Sequence, residues 1–158
     1  KGEPVLGVVF DPLRDELFTA EKGRGALLND RRLRVAPRKG IDGALIATGF
    51  PFRQRKLFDD HLGMVKALLK TGEDLRRTGS AALDLAYVAC GRFDAYFEMG
   101  LQPWDIAAGA LLVREAGGQV TDMRGGDAFM ANGHIVAANL NVGGELRAAI
   151  EPFVGGLN

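Results

Sequence analysis

Three short segments carry residue types that could do chemistry. Pro103-Trp104-Asp105 precedes a run of small residues, Ala107, Ala108, Gly109 and Ala110. An Asp at such a helix start accepts hydrogen bonds from the unpaired amides of the first turn, and that capping role accounts for Asp105 by itself. The same carboxylate is also the hard oxygen donor that Mg²⁺ takes, and small neighbours let other backbone come close to it. Glu98-Met99-Gly100 lies at the C-terminal end of a strand-like segment, where α/β proteins tend to place ligands; a solvated turn glutamate is the plainer reading. Gly79-Ser80-Ala81 offers free N–H groups at another helix start, suited to an anion or to sugar oxygens, or to capping alone. These residues reach as far as an oxygen-ligand pocket in an α/β domain and no further.

Other chemistries lack their residues. The chain has no Gly-x-Gly-x-x-Gly turn, Walker A loop, His-Glu-x-x-His segment or Cys-x-x-Cys pair. His61 and His134 have no second histidine at helical spacing, so a surface or packing role is expected for each rather than metal binding. A single cysteine, Cys90, excludes an internal disulfide and fits a reducing compartment. It sits among small apolar residues and reads as core filler. No apolar run approaches the roughly 18–20 residues of a membrane span, and there is no signal-peptide h-region, so a cytoplasmic protein with no membrane partner is expected. Twenty basic residues balance twenty acidic ones, so no global charge favours a polyanionic partner. The densest basic run is Arg31, Arg32, Arg34, Arg38 and Lys39, which reads as a solvated face or as a docking surface for RNA or protein.

The elements that must position these residues follow from periodicity. With 158 residues, one compact domain with a sizeable core is expected. Val5 to Phe10 is apolar and β-branched and stops at Asp11-Pro12, which predicts a strand. Leu17 to Ala20, Ala26 to Leu28 and Leu33 to Val35 predict further strands, the latter two around the turn-prone Asn29-Asp30. Residues 36–43 form a polar connector. Beyond it, strands at Ala44 to Thr48, Phe93 to Glu98, Gln119 to Thr121 and Ile135 to Ala138 are expected. Helices are expected over Phe58 to Leu69, Ser80 to Cys90, Asp105 to Ala116 and Gly144 to Phe153. The third of these is apolar nearly all round and must be buried on several sides, between sheets. Strands first and alternating elements afterwards predict an α/β, layered α+β fold with mixed sheets. Its first sheet would occupy residues 1–36, and its alternating layer residues 44–158.

Pro103-Trp104-Asp105-Ile106-Ala107-Ala108-Gly109, followed by Glu115-Ala116-Gly117-Gly118, resembles a signature of the inositol monophosphatase family. Gly7 to Pro12 with Glu16 to Ala20 and Gly23 to Ala26 is similar to that family's mid-chain hairpin. Arg76 to Asp84 and Asp94 to Gly100 resemble its bacterial branch. The resemblance runs in order over most of residues 5–150 and implies the C-terminal portion of an αβαβα layered sandwich. It implies hydrolysis of inositol monophosphate or a related sugar or polyol phosphate, assisted by Mg²⁺ ions that activate water and neutralise the leaving oxygen. On the matching positions, Asp105 is implied as a metal ligand that also touches a substrate hydroxyl. Gly79, Ser80, Ala81 and Glu98 are implied as polyol contacts. A homodimer is also expected, and bacterial members are linked to RNA polymerase and antitermination complexes.

The family's Gly-Glu-Glu segment and its Asp-Pro-(Ile/Leu)-Asp-Gly-Thr box, which supply most metal ligands and the phosphate-binding turn, do not occur in this sequence. Asp11-Pro12-Leu13-Arg14-Asp15 has Arg-Asp where Asp-Gly-Thr is required. The chain begins Lys1-Gly2-Glu3-Pro4 without Met, just before a strand, and reads as a chain cut upstream of its catalytic half. The expectations are therefore that no catalytic residue lies in this chain, that it is inactive alone, and that it exposes an apolar face and a sheet edge.

Overall fold

The computed structural model describes residues 2–157. Its first sheet is an antiparallel meander of β1 (Leu6–Asp11), β2 (Glu16–Glu21), β3 (Gly25–Leu28) and β4 (Arg31–Arg32) in that order. Side chains alternate across the pleat, so Gly7, Val9 and Asp11 of β1 turn inward while Leu6, Val8 and Phe10 turn outward. The outer face is apolar and open: Leu6 is 65% exposed, Val8 52% and Phe10 51%. β1 is also the sheet's edge.

The second sheet is mixed, with order β6-β5-β7-β9-β8. It contains β5 (Leu45–Thr48), β6 (Asp74–Arg76), β7 (Ala95–Glu98), β8 (Gln119–Thr121) and β9 (Ile135–Ala138). β6, β5 and β7 run parallel, while β9 is antiparallel to both β7 and β8. Period-2 alternation divides its residues between two cores. Ala47, Tyr96 and Ala137 join the core made with the first sheet, α2 (Ala81–Ala89) and α3 (Pro103–Glu115). Ile46, Phe97 and Val136 join the core made with α1 (Phe58–Leu68) and α5 (Leu140–Ile150). The layers are therefore sheet, helix pair, sheet, helix pair, the layered α+β arrangement with mixed sheets expected from the sequence.

Small residues set the spacing of the middle layer. A Cβ on Gly7 would lie 3.0 Å from the carbonyl oxygen of Ala108, and one on Gly109 would lie 2.5 Å from Cβ of Leu85. Helix α3 thus touches β1 on one side and α2 on another, and Ile106 and Gly109 to Val113 are buried.

Several boundaries differ from the sequence reading. Leu33 to Val35 is not a strand; β4 stops at Arg32, and the chain continues through single backbone bonds from Leu33 N–H to Ala26 and from Val35 N–H to Ala116. The closing helix starts at Leu140, not Gly144, because the Asn139 side chain accepts from Val142 N–H and caps it. Helix α3 starts at Pro103, not Asp105, with the fixed φ of proline suiting its first position. A four-residue helix, α4 (Phe129–Asn132), and the edge strand β6 were not expected. Neither histidine is at the surface. His61 is fully buried between the rings of Phe50 and Phe97, at centroid distances of 5.0 and 5.7 Å, and burial lowers its pKa. Cys90 packs at the edge of the first core. Among the described residues, no helix is long and apolar enough to cross a membrane.

Candidate functional site

β5 and β7 are parallel neighbours with Thr48 opposite Phe97, so Gly49 and Glu98 leave the sheet side by side at its C-terminal end. The starts of α2 and α3 point at the same place. The result is a cleft of about 470 Å³ whose lining includes Gly79, Ser80, Ala81, Glu98 and Asp105. Every residue nominated from the sequence therefore lines one cavity, although they come from three elements.

Glu98 sits at its floor. Tyr96 is two residues earlier on the same face of β7, and its hydroxyl donates to Glu98 Oε2 at 2.5 Å. Burial pushes the Glu98 carboxyl up to about 7; the Tyr96 hydroxyl opposes this, the carboxylates of Asp84 and Asp105 add to it, and Arg77 opposes it. Behind the first turn of α2, the buried Asp84 accepts a hydrogen bond from Thr78 Oγ1 at 2.6 Å. Burial raises its carboxyl to about 6, against the hydrogen bond from Thr78 and the charge of Arg77. That bond ties the chain down just before Gly79, which holds a left-handed φ of +95°. The Ser80 side chain accepts from Leu83 N–H at 3.4 Å, a long and weak cap.

Asp105 occupies the third position of α3, and its Oδ2 accepts from Gln102 N–H at 2.9 Å. This is the reciprocal half of a capping box, so the capping role anticipated for Asp105 is present. Oδ1 has no hydrogen bond among the described residues. One bond from the backbone fixes the carboxylate at the cleft without using it up.

Sequence reasoning missed five contributors. Gly49 is needed because a Cβ there would fall 2.2 Å from the Glu98 carboxylate. Tyr96, Thr78 and Asp84 have no signal in the sequence beyond their places in a strand and around a helix start. His134 reads as isolated, yet its Nδ1 accepts from Gly100 N–H at 3.3 Å and pins the turn after Glu98. A glycine after a strand whose parallel neighbour ends in a glutamate is a usable signal, but only once the strand register is known.

Among the described residues there is no group of three or more His, Cys, Asp or Glu side chains that could hold a metal ion. Mg²⁺ demands near-octahedral oxygen ligation. Asp105 fits as one oxygen donor, but these residues do not complete a Mg²⁺ site.

The basic run divides. Arg38 is half-buried, with Nε 3.0 Å from Asp94 Oδ2. Arg31, Arg32 and Arg34 are exposed. Arg32 and Arg34 join Arg24 and Arg114 around an open concavity of about 720 Å³. The Glu115 carboxylate there is occupied by Gly23 N–H at 2.9 Å and Gly25 N–H at 2.8 Å.

The family model described as "Inositol monophosphatase family" matches residues 1–153. A protein of Haemophilus influenzae named Nus factor SuhB is 52% identical over 155 residues, covering 98% of this chain and 58% of the relative. The Nus factor SuhB of Pseudomonas aeruginosa is 53% identical over 156 residues, again covering 98% of this chain and 58% of the relative. Among solved structures, the extragenic suppressor protein suhB of Bartonella henselae superposes with a TM-score of 0.91 at 45% identity, covering 95% of this chain and 57% of that one. An inositol monophosphatase from Anabaena (Nostoc) superposes with a TM-score of 0.91 at 40% identity, covering 96% of this chain and 62% of that one. The chain spans little more than half the length of the relatives it matches, 58% in the first case.

Proposed function

The chain belongs to the inositol monophosphatase family, and on that premise we propose that it forms the polyol-binding side of a Mg²⁺-dependent phosphomonoesterase. The substrate is inositol monophosphate or a related sugar phosphate. The observation that carries this reading is the convergence of Glu98, Asp105 and the Gly79-Ser80-Ala81 turn on one cleft. A carboxylate accepts hydrogen bonds from sugar hydroxyls, and the N–H groups at the start of α2 suit a hydroxyl or anionic oxygen. Asp105, held at one oxygen by Gln102, would give its other oxygen to a cation or to a substrate hydroxyl. When bound, Mg²⁺ supplies water activation and neutralises charge on the leaving oxygen. The chain's own residues bind and orient the polyol, and the described residues alone supply too few ligands for hydrolysis at a normal rate.

The test is hydrolysis by the full natural protein of a panel holding inositol monophosphate, fructose bisphosphate, histidinol phosphate and phosphoadenosine nucleotides. Preference for a polyol monophosphate, abolished by Asp105→Asn, is expected. Unchanged hydrolysis by the Asp105→Asn protein would remove Asp105 from the reading. Turnover by residues 1–158 alone that is lost in the same variant would overturn the proposed dependence on further ligands.

A second reading is favoured by the relatives' name, Nus factor, and by the exposed arginines. In it, the protein also docks on a transcription antitermination assembly containing RNA polymerase, through the surface of Arg32, Arg34 and Arg114. Charge reversal at Arg32 and Arg34 should then abolish partner capture and leave phosphate-ester hydrolysis intact. Loss of hydrolysis with capture retained would argue against it.

A further inference from the structure

We propose that Tyr96 and Gly49 are positioning residues that aim the Glu98 carboxylate at one polyol hydroxyl, and so set the preference for a polyol over other phosphate esters. The inference rests on the phosphatase reading above and assigns a role to two residues that do not themselves touch substrate.

Three observations carry it. Tyr96 is fully buried in the first core, with its ring fixed by packing and its hydroxyl 2.5 Å from Glu98 Oε2. A short bond of this kind to an ionisable acceptor is strong and directional. Gly49 provides the space: Cδ, Oε1 and Oε2 of Glu98 all lie within 2.3 Å of where its Cβ would stand. Finally, Oε2 is the only oxygen of Glu98 that accepts a hydrogen bond among the described residues, so Oε1 is left to receive a donor from the cleft. Without the Tyr96 hydroxyl the carboxylate would be free to rotate and to find water, and a Cβ at position 49 would push it out of this place. With them, one oxygen is committed to the protein and the other is presented to the ligand.

The arrangement also selects the acceptor state. The charges that act on Glu98 are those of Asp84 of α2, Asp105 of α3 and Arg77 before α2, and Tyr96 of its own strand is bonded to it. The two carboxylates oppose its ionisation, and Tyr96 is its hydrogen-bond donor. Removing the hydroxyl moves the Glu98 titration to higher pH, and the carboxylate becomes a poorer acceptor near neutrality.

The experiment uses the full natural protein and the variants Tyr96→Phe, Gly49→Ala and Glu98→Gln, with inositol monophosphate and p-nitrophenyl phosphate as parallel substrates. A cooperative melt like that of the parent shows that each variant folds. For Tyr96→Phe, KM for inositol monophosphate should rise by about tenfold, the scale of one hydrogen bond to a charged group. kcat/KM for p-nitrophenyl phosphate, which has no polyol, should stay within about twofold of the parent. Glu98→Gln should raise KM for inositol monophosphate at least as far, and Tyr96→Phe on that background should add nothing further. Equal losses on both substrates, or no loss on either from a folded variant, would overturn the proposal. A second measurement follows the Glu98 carboxyl directly, by NMR titration of carboxyl-labelled glutamate. The midpoint should move up in Tyr96→Phe, and an unmoved midpoint would overturn the proposal. If the parent hydrolyses neither substrate, the phosphatase reading fails, and this titration still decides whether Tyr96 controls Glu98.

Discussion

Glu98 and Asp84 are carboxyls whose burial works against their own charge, to about 7 and about 6 respectively. The sign of the consequence follows from proton binding. Each group holds more protons folded than unfolded between its ordinary value, 4.5 for Glu98 and 3.8 for Asp84, and its folded one. Their contribution to stability is therefore fully present below the ordinary values and is lost as pH rises toward about 7 and about 6. Elsewhere Asp11, Glu16 and Asp74 are held below the usual carboxylate range by Arg14, Arg92 and Arg76 and push the opposite way, so the whole-protein profile hides the effect. The difference between Glu98→Gln and parent exposes it: the variant should melt higher at pH 8, with the gap closing toward pH 4. Asp105 behaves differently. Its bond from Gln102 N–H survives in Asp105→Asn, because an amide oxygen also accepts, so that variant should lose activity with a stability change below about 1 kcal/mol by denaturant unfolding.

Helices α2 and α3 hold the site together through absent side chains. Gly109→Ala drives a methyl to 2.5 Å from Leu85 Cβ and should destabilise by about 1–3 kcal/mol in urea unfolding. Because Ser80 caps α2 and Asp105 lies on the first turn of α3, KM should rise with it. Elements such as these were legible in the sequence wherever periodicity was strong. The strands β5 and β7, the buried α3 and the starts bearing Ser80 and Asp105 all follow from apolar spacing and helix-start chemistry. β6 was not legible, since Asp74-Leu75-Arg76 is short, polar and at an edge. Leu33 to Val35 misled because alternation alone does not supply a partner strand. The closing helix opens four residues before the expected Gly144 because Asn139 caps it with its side chain. At the cleft, the residues with polar side chains at helix starts and strand ends were readable. Gly49 and Tyr96 were not, because their contribution depends on which strands are neighbours and in what register.

At the scale of the whole molecule, the first sheet offers Leu6, Val8 and Phe10 to solvent along an unpaired edge. Open apolar faces and free edges associate. Residues 1–158 alone should therefore self-associate in light scattering, and Val8→Lys with Phe10→Lys should shift them toward monomer. A monodisperse monomer without those changes would count against it. The parallel pairing of Thr48 with Phe97 governs something else, namely where the chain tolerates changes in length. One residue added within β7 turns every later side chain of that strand to the opposite face, sending Glu98 into the second core and Phe97 toward the cleft, and one added within β5 moves Gly49 from beside Glu98. The same addition in the exposed turn at 12–15, between β1 and β2, shifts no register in this sheet. Insertional scanning should accordingly find the molecule permissive to growth at that turn and closed to it within β5 and β7, since the residue count of β7 determines whether Glu98 faces the cleft at all.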